Sequence, residues 1–102
     1  MNAVTRRGID DHFFQIQDAV AALEHAWEEQ LPSLPKPDST QFMRWVRIHG
    51  YDTEPVLYGI RAAATKLRFL PHAFNDPDHP IAYVSRAANN FRRQRPGAGR
   101  AA

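Results

Sequence analysis

The residues with the widest chemical repertoire in this sequence are its five histidines, at positions 12, 25, 49, 72 and 79. No two of them stand three or four residues apart, the spacing by which a zinc enzyme sets two ligands on one helix face. His72, Asp76, Asp78 and His79 gather nitrogen and oxygen donors in one short stretch. Asp78 stands where a helix needs a cap, however, and the others read as loop polar groups, so no metal is expected there. Cysteine is absent, which removes disulfides, thiolate nucleophiles and cysteine-based zinc sites. The acid pairs Asp10–Asp11 and Glu28–Glu29 are adjacent, and neighbours on a helix do not face one reacting atom. Ser33, Ser39 and Ser85 have no base close in sequence and no nucleophile-elbow pattern. No glycine-rich loop cradles a phosphate. The sequence therefore calls for binding rather than catalysis, with no cofactor and no catalytic residue.

Binding chemistry is better represented. Arg44 and Arg47 flank Trp45 and Val46, and Arg92, Arg93 and Arg95 follow Phe91. Guanidinium groups beside aromatic rings suit phosphate contact and base stacking. Both rings also fall on apolar stripes, where a core role is the commoner one. Charge is divided along the chain: seven acids stand against one base from Asp10 to Asp38, and ten bases against four acids from Gln41 to Ala102, for a net +2. Ser85 to Ala102 carries Arg86, Arg92, Arg93, Arg95 and Arg100 with no acid. A localised basic end on a nearly neutral chain fits phosphate or an acidic partner; the alternative is a solvated, frayed tail.

The elements that must position these groups read as helices. Phe13, Ile16, Val20, Leu23 and Trp27 recur at three- and four-residue steps and mark one face of a helix over 10–30. Asp10 and Asp11 are expected at its amino end, where carboxylates meet free amide hydrogens. Pro32, Pro35 and Pro37 then exclude helix and favour an extended joint. The first helix can thus pack on its own domain or on another copy, and its five apolar residues are candidates for a protein interface. A short helix is expected over 40–49, capped by Asp38 or Ser39, with Phe42, Trp45, Val46 and Ile48 on its buried face, and ended by Gly50. Asp52 or Thr53 caps a third helix with Pro55 in its first turn and a stripe of Val56, Leu57, Ile60, Ala63, Ala64 and Leu67; its small residues let another helix approach. Arg61, Lys66 and Arg68 lie away from most of that stripe. A loop over 70–80 follows, in which Phe74 is expected to plug the core. Asp78 and Pro80 open a last helix with Ile81, Val84, Ala87, Ala88 and Phe91 inside. The expected core is Trp45, Val46, Leu57, Ile60, Tyr83, Val84 and Phe91. No alternating run signals a strand.

The expectation is one small all-α domain of about four helices over 10–95 with a proline-rich joint after the first, a flexible 1–9 and a disordered 96–102. With no cysteine, no signal-peptide block after Arg6 and Arg7, and no apolar run long enough to span a membrane, a cytoplasmic chain is expected.

Part of the sequence resembles a known family. QFMRWVRIHGYDTEPVLYGIRAAATK is similar to the segment of DnaD-like replication proteins in which a short Trp-containing helix leads through a glycine turn to a helix of small and aliphatic residues. HPIAYVSRAANNFRRQR resembles their closing helix, whose signature is Tyr, Ile four residues on, and Trp four further. Here the matching positions hold Tyr83, Ala87 and Phe91: the aliphatic residue has shrunk to alanine and the last ring is a phenylalanine. The resemblance covers about half the chain, residues 42–95, and stops before the N-terminal helix; the family's winged helix has no counterpart in it. It implies a module of DNA replication initiation or primosome assembly, of bacterial, phage or plasmid type, whose closing helix contributes to DNA binding. Carried over by position, that nominates Asn90, Arg92, Arg93 and Arg95; the charge pattern adds Arg44, Arg47 and Arg86. The rival expectation is a small protein-binding adaptor or inhibitor from a mobile element, acting through the first helix.

Overall fold

The spacing of apolar residues becomes four helices: α1 Ala3–Gln30, α2 Ser39–Ile48, α3 Glu54–Phe69 and α4 Asp78–Gln94. The computed structural model describes the backbone of residues 3–94 except positions 75 and 77, and the side chains of 15–91 with the same two exceptions. Among the described residues there is no strand, and no helix is long and apolar enough to cross a membrane. The all-α class expected from periodicity is the class observed. The expected disorder of 96–102 lies outside the described residues.

The first helix begins at Ala3, ahead of the expected start. One glycine inside a helix costs only about 1 kcal/mol relative to alanine, so Gly8 does not break the run. Asp10 and Asp11 therefore lie inside α1 and are not its amino-terminal acids; its first turn holds none. Further along, Ala19, Val20, Leu23 and Trp27 are buried, and Leu31 continues the stripe past the helix end.

The proline segment is not a free joint. Leu31 is fully buried and Leu34 packs against the core. Trp27 Nε1 donates to the Leu34 carbonyl at 3.5 Å, and Lys36 Nζ bonds Glu28 Oε2 at 2.6 Å. The segment is a strap laid back along the end of α1. It ends at Asp38, whose extended backbone and carboxylate cap α2 by accepting from the amides of Thr40 and Gln41 at 3.0 and 3.3 Å. Gly50 takes the left-handed conformation expected of it, with φ at 61°, but Tyr51 does so too, at 68°. Left-handed backbone costs a side-chain-bearing residue roughly 1–2 kcal/mol. Tyr51 is held there by its amide bond to the Val46 carbonyl at 2.8 Å and by packing against the core.

Asp52 supplies the carboxylate at the start of α3, accepting from the Glu54 amide at 3.0 Å, while Thr53 makes no side-chain cap. At α4 the corresponding acceptor is Asp76, which takes the Asp78 amide at 3.0 Å; Asp78, expected as the cap, is the first helical residue. Pro55 and Pro80 sit buried in the first turns, where a missing amide hydrogen leaves no gap.

The core centres on three rings from α1 and α2. Trp27 and Trp45 stack with centroids 6.4 Å apart, and Phe42 meets each of them edge-on at 6.2 and 5.6 Å. Trp45 Nε1 donates to Ser85 Oγ at 2.8 Å, which ties α2 to α4. Helices α3 and α4 run antiparallel, with Tyr58 against Phe91 towards one end and Lys66 over Tyr83 towards the other. They close tightly at Gly59, where a Cβ would stand 2.7 Å from the Val84 carbonyl oxygen. Three residues expected in the core, Leu57, Tyr83 and Phe91, are only half-buried. Ile48, expected on the buried face of α2, is exposed. Phe74 lies edge-on to Tyr83 at 5.4 Å, at the margin of the core.

Candidate nucleic-acid interface

The expected protein interface is largely used up inside the chain. Leu23 and Trp27 are 0% and 1% exposed and Val20 is buried, all against the chain's own helices, so these three are not available to a partner. The reason is the strap, which turns α1 back onto α2. Ile16 is half-buried, and the Phe13 side chain lies outside the described residues.

The candidate nucleic-acid residues separate into three places. Arg44 is exposed over a groove with Pro37, Asp38 and Ile81. Arg47, also exposed, lines a different groove, between α2 and α1, with Asp18 and Glu24. The two arginines flank Trp45 and Val46 in sequence and lie one turn apart on α2, yet they open onto two different grooves. Arg86 and Asn90 stand together on α4. Arg92, Arg93 and Arg95 fall outside the described side chains.

Around Arg86 and Asn90 the structure assembles a surface that the sequence reading did not single out. They line a depression of about 200 Å³ with Tyr58, Ala62, Tyr83 and Ala87. A second depression, of about 430 Å³, shares Tyr58, Ala62 and Tyr83 with the first and adds Arg61, Thr65 and Lys66. Together they form one trough along the α3–α4 seam. Its α3 side is Tyr58, Arg61, Ala62, Thr65 and Lys66, and its α4 side is Tyr83, Arg86, Ala87 and Asn90. Each set recurs at three- and four-residue steps, so each is a helix stripe in its own right. That periodicity is the signal by which the trough was findable; it is hidden because hydrophobicity does not mark it.

The seam holds three cations and a set of rings. Among the described residues, Arg61, Lys66 and Arg86 have no carboxylate within ion-pairing distance; the close contacts of a carboxylate with a basic side chain, His25–Glu29 and Lys36–Glu28, are on α1 and the strap. Lys66 Nζ lies 4.8 Å from the Tyr83 ring centre and 6.0 Å from that of Phe74. Tyr58 is 39% exposed and rests on Phe91 with centroids 5.1 Å apart and ring planes tilted by 33°. The Thr65 hydroxyl donates to its own helix, at the Arg61 carbonyl. The arrangement can meet phosphate oxygens with unneutralised cations on both rims and offer a partly open ring between them. Among the described residues no three His, Cys, Asp or Glu side chains are grouped to hold a metal ion. The Asp76 carboxylate is engaged at the α4 cap. Tyr83, Ala87 and Phe91 follow one another at four-residue steps along one side of α4, and Tyr83 and Ala87 line the smaller depression. Compared with protein-family models, curated proteins and solved structures, the chain matches none.

Proposed function

We propose that this chain is a nucleic-acid-binding helical module that takes its ligand along the α3–α4 seam, with DNA replication initiation as its setting. The observation that carries the reading is the pair of facing stripes, which bring Arg61, Lys66 and Arg86, free of carboxylate partners among the described residues, to the rims of a trough containing Tyr58. Unneutralised cations cost little to keep in water and gain most where phosphates release their condensed counterions. The setting rests on the resemblance of residues 42–95 to DnaD-like proteins.

The test is a salt titration of binding to labelled single- and double-stranded oligonucleotides, followed by anisotropy. Each phosphate contact contributes about 0.9 to the slope of log affinity against log salt on duplex and about 0.7 on single strands. Replacing both Arg61 and Arg86 by alanine should therefore reduce the slope by about 1.8 on duplex, or about 1.4 on single strands. Arg44→Ala with Arg47→Ala, on two other grooves, should leave it near the wild-type value. A double variant at Arg61 and Arg86 that keeps wild-type affinity and slope overturns the seam. A wild type that binds no oligonucleotide at low salt overturns the function, and the adaptor reading takes its place.

A further inference from the structure

Two apolar features lie apart from the seam trough. The first is a knob where α3 ends. Phe69 is 74% exposed and Leu70 is 56% exposed, side by side, with Arg68 before them and Pro71 after. From Arg61 to Phe74 the sequence contains no acid. The second is a groove of about 610 Å³ between α1 and α2. That volume falls within the roughly 300–1,000 Å³ typical of concave binding sites. Ile16, Ala21 and Met43 give it an apolar lining over the buried Val20, and Asp18 and Glu24 stand along its α1 side. Arg47 occupies the α2 side with its guanidinium 4.0 Å from Met43 Sδ. No residue of the α3 end lines this groove.

We infer that the groove receives the Phe69–Leu70 knob of a second copy of this chain, with Arg68 of the incoming copy set against Asp18 and Glu24. The two features match in the properties that decide docking. One presents exposed apolar side chains and the other an apolar-lined groove, and Arg68 beside the first is positive where Asp18 and Glu24 against Arg47 leave the second net negative. Phe69 and Leu70 stand in water when the chain is alone, and seating them on the half-buried Ile16 and Met43 removes that exposure. A knob and a groove on different parts of one surface make a heterologous contact, which repeats from copy to copy until it closes on itself. Because few residues take part, the association belongs with weak interfaces and depends on concentration. Because opposite charges meet at an exposed rim, salt weakens it.

Sedimentation velocity from micromolar to millimolar concentration tests this. The wild type should show a weight-average mass that rises with concentration, and rises less at high salt. Phe69→Asp, a change on an exposed side chain, should hold the mass at that of one chain with an unchanged thermal transition. Asp18→Arg with Glu24→Arg should do the same from the groove side. The decisive measurement mixes these two variants: one keeps an intact groove and the other an intact knob, so equal amounts should form a dimer and nothing larger. A wild type that stays at one-chain mass throughout, a Phe69→Asp chain that still associates, or a mixture that yields no dimer overturns the inference. None of these readings depends on nucleic-acid binding.

Discussion

Gly59→Ala sets two opposed effects against each other at the point where α3 crosses α4. Alanine is preferred to glycine in a helix interior by about 1 kcal/mol, so on helix propensity alone the change stabilises. The added methyl, however, would stand 2.7 Å from the Val84 carbonyl oxygen, 3.0 Å from Val84 Cγ1 and 3.3 Å from Val84 Cα. The Val84 side chain can rotate, but its carbonyl belongs to the backbone of α4 and cannot move without the helix. Overpacking of this kind costs roughly 1–3 kcal/mol. Because the nearest contact is backbone, the cost belongs in the upper part of that range, about 2–3 kcal/mol, and the variant should be less stable by about 1–2 kcal/mol once the propensity gain of about 1 kcal/mol is deducted. For a domain of this size each kcal/mol moves the melting temperature by about 4–8 °C, so thermal unfolding followed by circular dichroism should shift down by about 5–15 °C. The same displacement separates the stripe of Tyr58 and Arg61 from that of Arg86 and Asn90, so oligonucleotide affinity should fall as well. A variant that melts at or above the wild-type temperature would show propensity acting alone, and would refute the close approach of the two helices.

Ser85→Ala removes the acceptor of the Trp45 indole hydrogen and leaves that donor half-enclosed; it should cost about 1–2 kcal/mol in chemical denaturation, and no loss would mean that the 2.8 Å bond contributes nothing. Phe91→Ala truncates a half-buried ring that leans on Tyr58, so it should cost about 1–2 kcal/mol rather than the 3 or more of a fully buried ring; if Tyr58 stacks on a base, the same variant also weakens oligonucleotide binding. The Glu28 carboxyl is held below its ordinary range, first by its hydrogen bond from Lys36 and then by that ammonium's charge, while Lys36 is raised by the same bond. The contribution of Glu28 to folding is therefore present above the titration of a free glutamate and lost as pH falls through the depressed value, whereas that of Lys36 is present below the titration of a free lysine and lost as pH rises through the raised one. An NMR titration should find Glu28 depressed in the wild type and back in the ordinary range in Lys36→Ala; an ordinary Glu28 in the wild type would show the strap unpinned.

Local rules reached the parts of this fold that local chemistry determines. Asp38, Gly50, Pro55 and Pro80 each act within a turn of their own position, and each stands where capping and backbone preferences place it. The stripe of Val20, Leu23 and Trp27 was legible for the same reason, since the helix period alone puts those residues on one face. What sequence could not supply was the identity of the facing surface. The same stripe serves a partner interface or an internal core, and only the strap, pinned through Leu34 and Lys36, decides for the core. Phe91 falls on an apolar stripe as regular as any, yet it lies near the end of α4 with Tyr58 beside it, so periodicity overstated its burial. Arg44 and Arg47 read as a pair because they flank one tryptophan. A residue pair three apart points in related directions on an isolated helix, yet this pair opens onto two different grooves.

The seam was missed for a deeper reason. Hydrophobic patterning marks apolar faces, and the proposed binding face, built from alternating cations, small residues and tyrosines, registers as the polar back of two helices. Tyr58, Arg61, Ala62, Thr65 and Lys66 have the helix period, as do Tyr83, Arg86, Ala87 and Asn90, but neither set means anything until Gly59 brings the two helices close. The small residues that allow that approach belong to the packing, and the cations beside them belong to the proposed site. One glycine thus connects the two readings: it is a core requirement in the sequence of α3 and the positioning element of the trough in the structure.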